Sequence, residues 1–136
     1  MSEPAVDSTA SARLTVSPSE LASALNIETQ DSFPPVFATS RMIALMEVAA
    51  ARVLGPHLRP GELSVGVSLD VSHTAATPQG STVTATARFL GREGKLFLFE
   101  VTADDDAGEV GRGKHKRAIV TSERLLAGAA QRRPKA

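Results

Sequence analysis

Cysteine is absent from this 136-residue chain, which excludes disulfides, thiolate metal sites and a cysteine nucleophile. Net charge is absent too. Fifteen basic residues balance 15 acidic ones, so no whole-protein field draws polyanions or an acidic membrane surface, and neither nucleic acid nor a membrane is expected as a partner. No segment approaches the roughly 18 to 20 apolar residues that span a bilayer, and Met1 to Ala12 lacks a basic stretch leading into an apolar run. Secretion and membrane insertion are therefore not expected, and a cytoplasmic setting fits a chain without cysteine. A glycine-rich phosphate loop and a Gly-x-Ser-x-Gly elbow are also missing, which removes the standard nucleotide and serine-hydrolase readings. The histidines at 57, 73 and 115 show no metal-ligand spacing and have no carboxylate cluster beside them, so no metal is expected. Asp104 to Asp106 lacks the rest of a calcium loop and reads as a solvated turn.

What is present fits one domain with a real core. Met1 to Ser11 is small and polar and reads as a disordered tail; residues 12–125 form the domain; residues 126–136 read as a frayed basic tail ending in Arg132-Arg133-Pro134-Lys135. Arg13 to Ser17 alternates as a short strand, and Ser19 with Ala22 to Leu25 suggests a turn of helix. Pro34 and Pro35 force extended backbone ahead of a helix that Thr39 or Ser40 can cap and that runs to about Leu58, where Gly55-Pro56 and Pro60-Gly61 end it. Between Met42 and Leu54 only Glu47 and Arg52 are polar, the pattern of a helix buried at the centre of a core. Strands of period two follow over Ser64–His73, Ser81–Phe89, Lys95–Ala103 and Glu109–Thr121, with turns at Gly91–Gly94 and Asp104–Gly108. The last carries Arg112, Lys114, His115, Lys116 and Arg117, which predicts a partly exposed strand bordering a site for an anionic ligand. The fold class is α+β, an antiparallel five-stranded sheet curled over one long central helix, with open edges that invite two chains to pair into one sheet.

Two residues need more than packing. Glu47 lies inside Leu45-Met46-Glu47-Val48-Ala49, and an unpartnered buried carboxylate costs several kcal/mol, so it is paired, protonated or close to solvent in a cleft. His73 ends a strand whose odd positions are Val65, Val67, Leu69 and Val71, which turns its imidazole towards the core. Taken alone, each also has a bland reading, a solvated helix turn for Glu47 and a satisfied core histidine for His73. Thr39 reads as a helix N-cap whose hydroxyl stands beside free amides and the positive end of the helix dipole, a place where an oxyanion is stabilised. Gly66 interrupts a branched strand and marks a bulge or a close approach of ligand to backbone.

Val36-Phe37-Ala38-Thr39, Leu45-Met46-Glu47, Pro60-Gly61-Glu62, Val71 to Pro78 and Gly111 to Ala118 together resemble the fluoroacetyl-CoA thioesterase family of hotdog-fold proteins, in consistent order from Phe33 to Ile119. The resemblance implies a hotdog homodimer, or a higher oligomer, that hydrolyses a small acyl-CoA thioester at the subunit interface without metal or organic cofactor. It implies catalytic roles for Thr39, Glu47 and His73, substrate binding for Gly66 and Arg117, and gating of the acyl pocket for Phe33. In that scheme Glu47 is general base or nucleophile, His73 assists proton transfer, Thr39 and nearby amides bind the oxyanion, and Arg117 or its neighbours meet the CoA phosphates. Thr39 as nucleophile requires a base within hydrogen-bond reach. Ser40 and Arg41 stand where the fluoroacetyl-specific enzyme carries a glycine and an aromatic, so the resemblance bears on the chemistry and not on the acyl group. A non-catalytic acyl-CoA binding protein and an enoyl-CoA hydratase are the alternatives on the same fold.

Overall fold

A computed structural model of the chain describes residues 2–134. Its strands are β1 (Thr9–Thr15), β2 (Glu62–His73), β3 (Thr82–Glu93), β4 (Leu96–Asp105) and β5 (Gly108–Thr121), joined in one antiparallel sheet of order β1-β3-β4-β5-β2. Helix α1 (Thr39–Leu54) fills the hollow of that sheet and α2 (Ser122–Gln131) follows β5. The α+β reading, one sheet wrapped on a central helix, is what the chain forms.

The site depends on how α1 is held. Ala38 is extended (φ −73°, ψ 140°) and serves as N-cap, so the helix opens at Thr39, and it gives way after Leu54 to a 3-10 turn at Gly55–His57 because Pro56 has no amide to continue the hydrogen-bond series. Met42, Leu45, Met46, Ala49, Ala50, Val53 and Leu54 are buried at the i, i+3, i+4 spacing of one helical face. Beneath them lie the inward rows of β3 and β4, where Phe89 sits 6.1 Å from Phe97 and 5.7 Å from Phe99, ring centre to ring centre. Such aromatic pairs add about 0.5–1.5 kcal/mol beyond area burial. The opposite face of α1 is uncovered within one chain, with Ala44 exposed and Val48 42% exposed. Central burial of the helix therefore holds for one face only.

The sequence reading is corrected in four places. The tail predicted for residues 1–11 is occupied from Thr9 by β1, and ahead of it Pro4 is buried while the Asp7 amide donates to Phe89 O at 2.8 Å. Thr39 is not the cap but the first helical residue, and no side chain among the described residues caps that end. The predicted C-terminal tail is helical as far as Gln131, while Lys135 and Ala136 lie outside the described residues. In β2 the odd and even rows exchange at a bulge between Gly66 and Ser68, so Val67 leaves the apolar row and is 52% exposed, whereas Leu69, Val71 and His73 pair with the inward residues His115, Gly113 and Gly111.

Candidate active site

The segment ahead of α1 is tied down from two sides. The Phe37 amide donates to Thr77 O at 2.9 Å and the Ala38 amide to Glu20 O at 2.9 Å, while the buried Thr77 hydroxyl donates to Asp105 Oδ2 at 2.8 Å. Thr77 belongs to the loop that leaves β2 after His73, so the start of the helix and the end of the strand are fixed to one another. Across that junction Thr39 Oγ1 and His73 Nδ1 lie 2.7 Å apart, with Phe37 edge-on to the imidazole at 6.4 Å. His73 Nε2 is buried and has no hydrogen-bond partner among the described residues. Burial holds the imidazole below the usual histidine value, offset in part by the backbone of Ala75. A neutral ring so placed can accept the Thr39 proton at Nδ1.

The pair borders a cavity of about 380 Å³ whose wall includes Phe33, Pro34 and Val36 together with the small residues Ala22, Ala75 and Ala76. Phe33 is half-exposed at this wall, its amide donating to Asn26 Oδ1 at 3.0 Å. The Thr39 and Ser40 amides, in the first turn of α1, have no intrahelical acceptor, which leaves donors and the positive helix end beside the hydroxyl.

Glu47 is elsewhere in the same chain. It lies further along α1 from Thr39 by about 12 Å of helix rise. Its carboxylate rests over Gly66 of β2, where an added Cβ would come within 2.1 Å of Glu47 Oε1, and Arg117 Nη1 donates to that same oxygen at 3.1 Å. Glu47 remains 39% exposed in a shallow cleft of about 310 Å³ with Ala44, Val48 and Ala51, whereas the Arg117 side chain is 7% exposed. Arg117 also donates from Nε to Ser64 Oγ at 2.9 Å, from Nη2 to Ser64 O at 2.9 Å, and from Nη1 to His115 Nε2 at 3.1 Å. The buried charge is thus paired and hydrogen-bonded, as it must be.

The predicted site residues therefore fall into two groups within one chain: Thr39, His73 and Phe33 at the cavity, and Glu47, Gly66 and Arg117 at the cleft. Gly66 is where the bulge occurs, and the space it leaves is taken by a carboxylate. Arg117 faces inward with its guanidinium engaged by Glu47, Ser64 and His115; the charged strand β5 alternates, with Arg112, Lys114 and Lys116 outward and His115 and Arg117 buried. His115, which the sequence reading did not place beside Glu47 and Arg117, is buried against that pair. Its signal was strand parity, since 115 and 117 share a row, and the cluster of charges around it hid that row.

The fluoroacetyl-CoA-specific thioesterase (FlK) family matches residues 16–123. A fluoroacetyl-CoA thioesterase of Streptantibioticus cattleyicolor is 46% identical over 102 residues, covering 75% of this chain and 73% of that protein. Among solved structures, the fluoroacetyl-CoA thioesterase FlK superposes with a TM-score of 0.90 at 39% identity, covering 96% of this chain and 98% of that one. A hot-dog-like protein from Thermanaerovibrio acidaminovorans superposes at 0.82 with 24% identity over 96% and 94% of the two chains, a likeness of fold alone.

Proposed function

The chain belongs to the fluoroacetyl-CoA-specific thioesterase family, whose members share the hotdog fold and hydrolyse acyl-CoA thioesters, and from that premise we propose that its reaction runs in a site built by two copies of the chain. One protomer supplies Thr39 and His73 and its partner supplies Glu47. The observation that carries this reading is the separation of the two groups along α1 despite the 2.7 Å contact between Thr39 and His73.

The edge strand supports it with a register. Among the described residues β2 pairs only with β5, leaving a 12-residue edge open on which Val67 is exposed, while Val48 is exposed beside Glu47 on α1. If two β2 edges pair antiparallel with Gly66 opposite the partner's His73, the bulge takes up Val67, Leu69 faces the partner's Val71, and the two-fold axis passes through Asp70. Directly paired residues then lie about 4.5–5.5 Å apart and point to the same face. Gly66 and His73 both face the helix side, so the imidazole of one chain stands beside the carboxylate that occupies Gly66 in the other. The homodimer and its cytoplasmic setting are parts of the same reading.

In this site the thioester carbonyl oxygen lies against the Thr39 and Ser40 amides, where negative charge developing on it is stabilised. Glu47 takes a proton from water, the water oxygen bonds to the acyl carbon, and the carbon–sulfur bond breaks to release CoA thiolate, which takes up the proton held by Glu47 and restores the carboxylate. Arg117 holds Oε1, so Oε2 is the oxygen that addresses water. A general base of this kind contributes about 10² to 10⁴ in rate. The cavity beside Thr39 and His73 receives the acyl group.

The 2.7 Å contact between Thr39 and His73 supports a second route as well, since a threonine nucleophile needs a base within hydrogen-bond reach. There Thr39 Oγ passes its proton to His73 Nδ1 and bonds to the acyl carbon as the carbon–sulfur bond breaks and CoA leaves with the proton from His73; water activated by Glu47 then adds to the ester, releasing the acid and restoring the Thr39 hydroxyl. Intact-protein mass spectrometry during turnover separates the routes, since only the second gains the mass of an acyl group on Thr39.

The proposal is tested with purified protein and a panel of short, branched, aromatic and fluorinated acyl-CoAs, with free thiol followed over time and Glu47→Gln as control. Thiol release by wild type and its loss in Glu47→Gln are expected. Binding without thiol release means an acyl-CoA binding protein, water addition with the thioester intact means a hydratase, and a fully active Glu47→Gln protein removes Glu47 from the mechanism.

A further inference from the structure

His115 is the one fully buried histidine, and the hydrolysis described above does not use it. Its ring is 1% exposed and tilted against Phe99 at 6.2 Å, and both of its nitrogens are engaged. Nε2 faces Arg117 Nη1 at 3.1 Å, and Nδ1 faces the Ser68 carbonyl at 2.8 Å. An arginine always donates, so Nε2 must accept, and a carbonyl always accepts, so Nδ1 must carry the proton. The two neighbours thereby fix a single neutral tautomer.

We infer that His115 is a positioning residue for hydrolysis: through its Nε2 lone pair it orients the Arg117 guanidinium, and so fixes where that guanidinium holds Glu47. The inference rests on the reading of Glu47 as the group that acts on the thioester. One nitrogen, Arg117 Nη1, carries both links, its two N–H bonds going to Glu47 Oε1 at 3.1 Å and to His115 Nε2 at 3.1 Å. A rotation of the guanidinium that shortens one link lengthens the other. Ser64 holds the far side of the group through Nε and Nη2, so His115 is the only acceptor that sets Nη1 from the core side among the described residues. The β2 bulge serves the same arrangement twice: it leaves Gly66 without a side chain beneath Glu47, and it turns the Ser68 carbonyl towards His115. A protonated His115 would oppose N–H to N–H at Arg117, and burial disfavours that form.

Two substitutions separate the two nitrogens. His115→Gln keeps an acceptor near the position of Nε2, and His115→Asn keeps a donor near that of Nδ1 but removes the acceptor. A hydrogen bond to a charged group supports an expected loss of roughly 10- to 100-fold in kcat for His115→Asn, with KM within about threefold of wild type. His115→Gln is expected to recover at least about fivefold of that kcat at a similar melting temperature. Equal losses in the two variants, or losses that track melting temperature, would assign His115 to packing alone and overturn the inference. An activity-independent measurement stands beside the kinetics: in ¹⁵N-labelled wild-type protein at pH 7, the His115 ring must show a protonated Nδ1 and an unprotonated Nε2. The opposite tautomer, or a rapidly exchanging mixture, overturns the inference even in a protein that fails to release thiol. The reading of Glu47 itself fails separately, if Glu47→Gln is as active as wild type while the His115 tautomer is as described.

Discussion

Gly66→Ala isolates the position of the carboxylate from the stability of the fold. The glycine needs no left-handed backbone, so alanine is compatible with its conformation, and the added Cβ meets Glu47 Oε1 at 2.1 Å, Glu47 Cδ at 3.2 Å and His115 Cε1 at 3.4 Å. Contacts under 3.0 Å are not tolerated by real Cβ atoms, so Oε1 must retreat by about 1 Å. The retreat is easy for the chain, because the obstacle is the end of a flexible side chain that is 39% exposed. It stretches the Arg117 contact, whose contribution is discounted by that exposure, and alanine restores about 0.4–1 kcal/mol by restricting the unfolded chain. The net change in stability is therefore within about 1–2 kcal/mol, a few degrees in melting temperature for a domain of this size. The chemistry has no such tolerance. A misplacement of about 1 Å can cost about 10²-fold in rate, or about 2.7 kcal/mol of transition-state stabilisation. Thiol release measured under saturating acyl-CoA, beside a thermal melt, is expected to show kcat down about 100-fold in a folded protein. A folded Gly66→Ala protein with kcat within about twofold of wild type would refute the placement of the reacting carboxylate over Gly66.

Stability is expected to fall on acidification from pH 7.5 to 5.5. Burial depresses the folded-state values of His73 and His115 below 6.5, so below that pH the unfolded chain binds more protons and gains stability relative to the fold, until the folded-state values are reached. Glu20, Asp31 and Glu109, held low by hydrogen bonds to Ser17, Glu28 and Arg112 respectively, act only at more acid pH, and their contribution is lost as pH falls below the ordinary carboxylate range. Urea titrations across the window check this, and a profile that is flat or rises towards acid would contradict it. Val67→Asp places a charge on the exposed edge of β2, which is harmless to an isolated protomer but desolvated if that edge pairs. The dimer dissociation constant, read by light scattering on eluting fractions, is expected to rise about 10²-fold or more, with activity returning at high protein concentration. An unchanged dimer would place the interface elsewhere.

Much of the fold was legible because local signals and burial agreed. Alternation located β2 to β5 within a few residues, and the Pro34-Pro35 and Gly55-Pro56 pairs bracketed α1. β1 was underestimated because Thr9, Ala10 and Ser11 are small and polar, and their strand state comes from pairing with β3, a non-local contact. At Gly66 the opposite occurred: the glycine announced a bulge, but parity was still read straight through it, although the core side of His73 came out correctly because the residues after the bulge keep their own phase. Thr39 was legible as a hydroxyl at the start of the helix but not as a non-capping one, since that depends on His73 competing for it. The partly exposed character of β5 was legible, but not that His115 and Arg117 are its buried members, because a run of charge does not show which side chain meets a buried partner such as Glu47.

The central claim, that two chains share one site, is tested most directly by heterodimers of Glu47→Gln and His73→Ala chains carrying different tags and purified through both. Each parent homodimer lacks one group in both of its sites and is expected to be nearly inactive. The heterodimer would carry one intact site of two and recover about half of the wild-type rate per dimer. A heterodimer no more active than its parents would contradict the shared site and return Glu47 and His73 to a single chain.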